Sequence, residues 1–201
     1  MGPWDRIAKP EDFATLAEIE GLTNPRIRED MGSLSLIPED RWIVGPGSTP
    51  VMAAFTHLNP EGSRFSDGSF GALYVSASVE TAIRETVFHR ELFLRRTREP
   101  PLQVEMRRYV TEIRRRLHDI RGGFPRLHDP DSYSASQQAA REFKTAGADG
   151  IVYDSVRDRG GQCAAVFWPD CVAPFTQATH YSYIWDGNSI TNVIELTRIP
   201  L

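Results

Sequence analysis

Three observations predict an α+β fold for this chain. Helical and strand periodicities interrupt one another irregularly, and several neighbouring strands read as hairpins. No glycine-rich G-x-G-x-x-G or Walker turn follows a strand, as a doubly wound nucleotide-binding sheet would require. The expected architecture is a compact mixed-sheet domain with flanking helices. With 201 residues and 40% hydrophobic content, the chain is long enough for one domain with a sizeable core. No Ser/Gly-rich linker divides it. We expect residues 1–40 to be a helical extension packed on a single globular unit spanning residues 41–201.

Composition narrows the function. Net charge is −4, which disfavours direct binding of nucleic acid. No apolar run approaches the roughly 18–20 residues of a membrane span. The opening MGPWDRIAKPEDF has no apolar secretory core, so a cytoplasmic location is expected. Cys163 and Cys171 match no zinc or disulfide spacing and are expected to be reduced thiols. The five histidines show no metal-ligand spacing, so no metal is expected.

The elements follow in order. Residues 10–31 open on Pro10–Glu11 and place Phe13, Leu16 and Ile19 at helical spacing, with Gly21 and Pro25 as the stop. A short strand is expected at Trp42–Val44, and a further strand or loop element from Val51. Asn59–Ser69, NPEGSRFSDGS, is a turn-rich loop that delivers Arg64. GALYVS at Gly71–Ser76 suits a buried strand. Ser78 can cap a helix running from Val79 to about Arg96, with Glu80 in its first turn and a stripe of Val79, Ala82, Ile83, Thr86, Val87 and Leu94 facing the core. Pro100–Pro101 ends it.

Leu102–Ile113 alternates as a strand, and Arg114–Leu127 reads as a basic loop broken at Gly122–Gly123. Ser132–Ala146 is expected to be a capped amphipathic helix stopped by Gly147. Strands at Gly150–Asp154 and Cys163–Phe167 flank a polar turn through Gly160–Gly161. The tail, HYSYIWDGNSITNVIELTRI, reads as a hairpin about Asp186–Gly187.

Four residues stand out chemically, each with a plainer explanation beside it. Arg64 could grip a phosphate or carboxylate bidentately, or simply be a solvated loop cation. Tyr74 could stack on a planar ligand, or be a core ring with its hydroxyl at the edge. Glu85 could serve a site one strand-end away, or be one more surface helix charge. Ser155 sits where site residues gather at a strand end, or is a turn residue; it lies outside any G-x-S-x-G elbow. His57, upstream of Arg64, could join the same site. Residue types and spacing leave these alternatives open.

The two blocks SRFSDGSFGALYVSASVETAIRE and GADGIVYDSVRDRGG, taken together, resemble the RES-domain toxins of RES–Xre toxin–antitoxin modules. The resemblance covers roughly residues 41–170. It implies a fold similar to ADP-ribosyltransferase toxins, with NAD⁺ as substrate and Arg64, Tyr74, Glu85 and Ser155 at the family's active-site positions. Arg41–Trp42 is the nearest match to a further basic–aromatic pair of the family, which makes Arg41, with His57, a candidate binding residue. The activity implied is cleavage at the nicotinamide–ribose bond, arresting growth. ADP-ribose would pass to a protein, as in a mono-ADP-ribosyltransferase, or to water or phosphate, as in a glycohydrolase or phosphorylase. An Xre-type antitoxin would cover the site, with the arginine-rich stretch Arg107–Arg116 as a docking patch for an acidic surface. The alternative is a catalytically inactive module of the same fold that binds a nucleotide or partner.

Overall fold

The computed structural model describes residues 33–197 and Ile199, so the helix expected over residues 10–31 lies outside the described residues. Within them the fold is α+β. A four-stranded sheet runs in the order β1-β5-β4-β3, from β1 (Leu73–Ser76), β3 (His118–Asp119), β4 (Gly150–Asp154) and β5 (Gln162–Val166). A three-stranded sheet runs β2-β6-β7, from β2 (Leu102–Val110), β6 (Thr176–Trp185) and β7 (Ile190–Leu196). All pairings are antiparallel except β3 with β4. Helices α1 (Thr49–Thr56), α2 (Val79–Thr97) and α3 (Ser134–Thr145) pack around them. No helix among the described residues is long and apolar enough to cross a membrane.

The first sheet is buried on both faces, which explains its near-continuous apolar strands. Because successive side chains alternate, Leu73 and Val166 point to one core with Val51, Met52 and Phe55 of α1. Ile151, Tyr153, Cys163 and Ala165 point to the other, with Phe65, Ile120, Phe167 and Ala140 of α3. Register sets Tyr74 opposite Ala165, Ser76 opposite Cys163, and Tyr153 opposite Cys163. Tyr74, Ser76 and Tyr153 therefore share the second face. Both cysteines are buried free thiols.

Several expectations are corrected. Trp42–Val44 is not a strand: a single 3-10 turn at Glu39–Arg41 precedes it, and Trp42 anchors by donating its indole N–H to Ile37 O. The run from Val51 is not a strand or loop but helix α1. Pro50 suits a first turn where its missing N–H costs nothing, and Val51, Met52, Phe55 and Thr56 are buried at helical spacing. The basic loop contains the two-residue strand β3, created by parallel pairing with β4 and invisible to local periodicity. Helix α3 starts at Ser134 without a side-chain cap, although Gly147 (φ +85°) does end it.

Helix α2 begins as expected: Ser78 Oγ accepts from Thr81 N–H at 3.1 Å. Its buried residues are Thr81 and Leu94. Thr86 Oγ1 meets the Tyr183 hydroxyl at 2.7 Å, joining α2 to the second sheet. The C-terminal hairpin is present, with its loop at Asp186–Ser189 and β6 also paired along β2. The buried Trp185 donates its indole N–H to Glu99 O at 3.0 Å, which closes the end of α2 onto this sheet.

Candidate functional site

β1 ends at Ser76 and α2 starts three residues later, so Glu85 is carried back over the second face of the first sheet. Its carboxylate accepts a hydrogen bond from Ser155 Oγ at 2.6 Å, and Cys163 Sγ lies 4.0 Å from the same oxygen. Ser155 follows β4 directly. Its hydroxyl also accepts the backbone N–H groups of Arg157 (3.2 Å) and Asp158 (2.9 Å), while its own N–H donates to Gly161 O. With two donors on the oxygen, the hydroxyl proton is left for Glu85. The serine is thus both the cap of its turn and the orienting partner of the carboxylate.

The turn is tied to α2 as well. The buried Thr81 donates to Asp158 Oδ2 at 2.7 Å, and Arg84 Nε meets Asp158 Oδ1 at 3.1 Å. A Cβ at Gly161 would lie 2.5 Å from Thr81 Oγ1, so glycine is needed for loop and helix to close together.

Arg64 is only 8% exposed. Its Nη1 donates to Asp129 O at 2.8 Å and Leu127 O at 3.4 Å, and the guanidinium lies 4.6 Å from the centroid of the Tyr133 ring. Among the described residues no carboxylate pairs with it. Desolvating a guanidinium without a counter-charge is costly by several kcal/mol, an imbalance that an anion would relieve.

Tyr74 inverts the plainer expectation of a buried ring with its hydroxyl at the edge. Its side chain is partly open while the hydroxyl turns inward, accepting from Phe65 N–H at 2.8 Å and sharing a 2.7 Å hydrogen bond with Ser63. Desolvation pushes this phenol up to about 12, so it stays protonated. Ser63 and Phe65 flank Arg64, so the tyrosine hydroxyl clamps the arginine loop. Beneath it, Tyr153 stacks edge-on with Phe65 at 4.7 Å, and burial raises its phenol as well.

His89, one turn beyond Glu85, is held below the usual imidazole range by desolvation, which outweighs the attraction of Glu85; Arg157 and Arg64 push the same way. All three charges bear on this one ring. Burial likewise raises the Cys163 thiol, and Glu85 reinforces it.

The structure therefore brings together Glu85 and Ser155 by direct contact, sets Tyr74 on the same sheet face as Cys163, which lies beside Glu85, and holds Arg64 in the loop that the Tyr74 hydroxyl clamps. It does not bring in Arg41. That guanidinium pairs with Asp149 (2.8 Å) and Asp170 (3.0 Å) and lies 5.1 Å from the Trp168 ring centroid, at the opposite end of β4. Asp149 and Ser155 are six residues apart on an extended path, or roughly 20 Å. His57 caps the C-terminus of α1 and bonds Thr56 Oγ1 at 3.1 Å. Residue patterns missed Thr81, Asp158 and Arg157; only the placement of the latter two in a glycine-ended turn after a strand hinted at them. Among the described residues no group of three His, Cys, Asp or Glu side chains could hold a metal ion.

The RES domain profile matches residues 39–186, which contain every residue of the cluster. An uncharacterized protein, y4oC, of Sinorhizobium fredii (strain NBRC 101917 / NGR234) is 30% identical over 194 residues, covering 94% of this chain and 79% of that protein. The chain belongs to the RES domain family, which is associated with toxin–antitoxin modules and NAD-using enzymes.

Proposed function

We propose that this protein is the toxin of a toxin–antitoxin pair and that it cleaves NAD⁺ between nicotinamide and ribose. The observation that carries this reading is Arg64. A nearly buried cation with no carboxylate partner among the described residues shares one neighbourhood with the hydrogen-bonded pair Glu85–Ser155. NAD⁺ offers complementary charges, with an anionic pyrophosphate for Arg64 and a pyridinium ribose for Glu85.

The chemistry follows from charge. When the C1′–N bond breaks, nicotinamide leaves with the electron pair as a neutral ring, so no general acid is needed. The positive charge moves to the ribose as an oxocarbenium ion. Glu85 stabilises that charge and accepts a ribose hydroxyl, and Ser155 keeps the carboxylate aimed. Tyr74 offers its exposed ring face to nicotinamide. An acceptor then attacks C1′ and loses a proton, giving ADP-ribose with water, its 1-phosphate with phosphate, or a modified side chain with a protein. NAD⁺ is substrate throughout.

The expected partner is an Xre-type antitoxin that covers this cleft. Arg107, Arg108, Arg114 and Arg116 are exposed without ion-pair partners among the described residues and would suit an acidic antitoxin surface. The test is incubation of purified protein with NAD⁺, with nicotinamide and all ADP-ribosyl products followed by mass spectrometry. Stoichiometric nicotinamide release supports the reading. Tight NAD⁺ binding with no release over hours would replace it with the inactive binding module.

A further inference from the structure

Arg64 has a counterpart. Arg157 also lacks a carboxylate partner among the described residues; its Nη2 donates to Pro130 O at 2.7 Å. The two arginines thus hold carbonyls of the same short loop, Arg64 on Leu127 and Asp129, Arg157 on the next residue, Pro130. Consecutive residues are 3.8 Å apart at Cα, so the guanidinium groups lie on the order of 10 Å apart. Neutral carbonyls satisfy a hydrogen bond on each without cancelling its charge. Nε and Nη2 of Arg64, and Nε and Nη1 of Arg157, have no protein acceptor among the described residues.

Arg157 is also fixed in place. Its guanidinium carbon sits 3.5 Å from the centroid of the Phe88 ring, three residues beyond Glu85 in α2. Its backbone N–H donates to Ser155 Oγ, the hydroxyl that holds Glu85. The open groove of about 530 Å³ that Arg157 also borders, with Glu80, Ile83, Arg84, Val87, Phe88 and Glu91, contains neither Glu85 nor Arg64.

We propose that Arg157 is the second cation of a diphosphate subsite, sharing with Arg64 the two linked phosphoryl groups of the ligand. The proposal rests on the NAD⁺ reading for its ligand class. A dianionic diphosphate matches two uncompensated guanidinium groups, whereas a single carboxylate leaves one of them unanswered. Both arginines present fork geometry to phosphoryl oxygens, and such charge-assisted bonds are about twice as strong as neutral ones. Stacking on Phe88 holds the planar fork without contributing a counter-charge.

The experiment is calorimetric titration of the full chain with inorganic pyrophosphate and with inorganic phosphate, on wild type, R157Q and R157K. The KM for NAD⁺ is measured in parallel by nicotinamide release. We expect R157Q to weaken pyrophosphate at least tenfold and phosphate less than threefold. R157K, which keeps the charge and loses the fork, should fall between them and covers the case in which R157Q does not fold. Pyrophosphate affinity within twofold of wild type in both variants overturns the proposal, as does a wild type that does not bind pyrophosphate. If wild type releases nicotinamide while R157 variants keep its KM, the subsite fails and the NAD⁺ reading stands. If R157Q selectively loses pyrophosphate but wild type leaves NAD⁺ intact, the subsite stands and the NAD⁺ reading fails.

Discussion

Each end of β4 carries a charged neighbourhood, and the two are built differently. At the Asp149 end, Arg41 meets Asp149 and Asp170, Arg115 meets Asp170 at 3.1 Å, and Lys144 lies 3.2 Å from the Trp168 ring centroid while donating to Phe167 O. Each arginine there faces a carboxylate. At the Ser155 end, Arg84 meets Asp158, but Arg64 and Arg157 face carbonyls and rings, and the Glu85 carboxylate is held by a serine. A self-neutralised cluster stabilises a fold; an unbalanced one leaves charge for a ligand. The difference separates a structural ion network from the proposed binding site although both are rich in the same residue types.

Substitutions at the two ends should therefore separate activity from stability. The largest expected effect is at Glu85: E85Q keeps the shape but removes the charge, and nicotinamide release should fall about 10²–10³-fold with little change in thermal midpoint. Loss of midpoint without loss of rate would mean that Glu85 is structural. R41Q should do the reverse. It leaves Asp149 without its cation and Asp170 with Arg115 alone, costs about 1–3 kcal/mol in denaturant unfolding, and leaves the KM for NAD⁺ within twofold. A large KM change would place Arg41 in the site after all.

Y74F lies between these extremes. It keeps the ring and strips the acceptor from Phe65 N–H, so a stability loss of about 1–2 kcal/mol is expected, measured by urea unfolding. The smallest effect concerns pH. Burial lowers the Lys144 ammonium from 10.5 to about 8, with Arg41 adding repulsion. Between about pH 8 and 10.5 the unfolded chain binds a proton there that the folded one does not, so stability rises with pH across that window. K144M should flatten that slope; an unchanged slope would show that the amine is not desolvated in solution.

Much of this was legible in the sequence, for reasons that differ by element. Ser78 followed by an apolar periodicity announces α2, and Gly150–Asp154 is a continuous apolar run bounded by glycine and a polar turn, so both elements appear where local signals place them. Arg64 and Ser155 stand in turns beside strands, but residue type and spacing leave them, with Tyr74 in a strand and Glu85 in a helix, open to plainer readings; only the resemblance of the two blocks to a family joins the four. What local pattern does not carry is partnership. Nothing near Arg41 says that it will meet residues 108 and 129 positions away, and nothing near Arg157 says that it will stack on Phe88. Helix α1 was misread because its eight residues are too few to display a period against the neighbouring turns. Strand β3 exists only through its partner.

Gly161 bears on how this scaffold could change. The gap between Glu85 and Ser155 is governed by a residue with no side chain, whose carbonyl holds the Ser155 backbone, because any side chain there presses Thr81 and Asp158 apart and levers the serine turn away from the helix. Replacing Gly161 with alanine would act as a shim, lengthening the 2.6 Å bond while leaving every group of the cluster chemically intact. A family built on this turn could thus retire its chemistry and keep its ligand through a single methyl group placed outside the site.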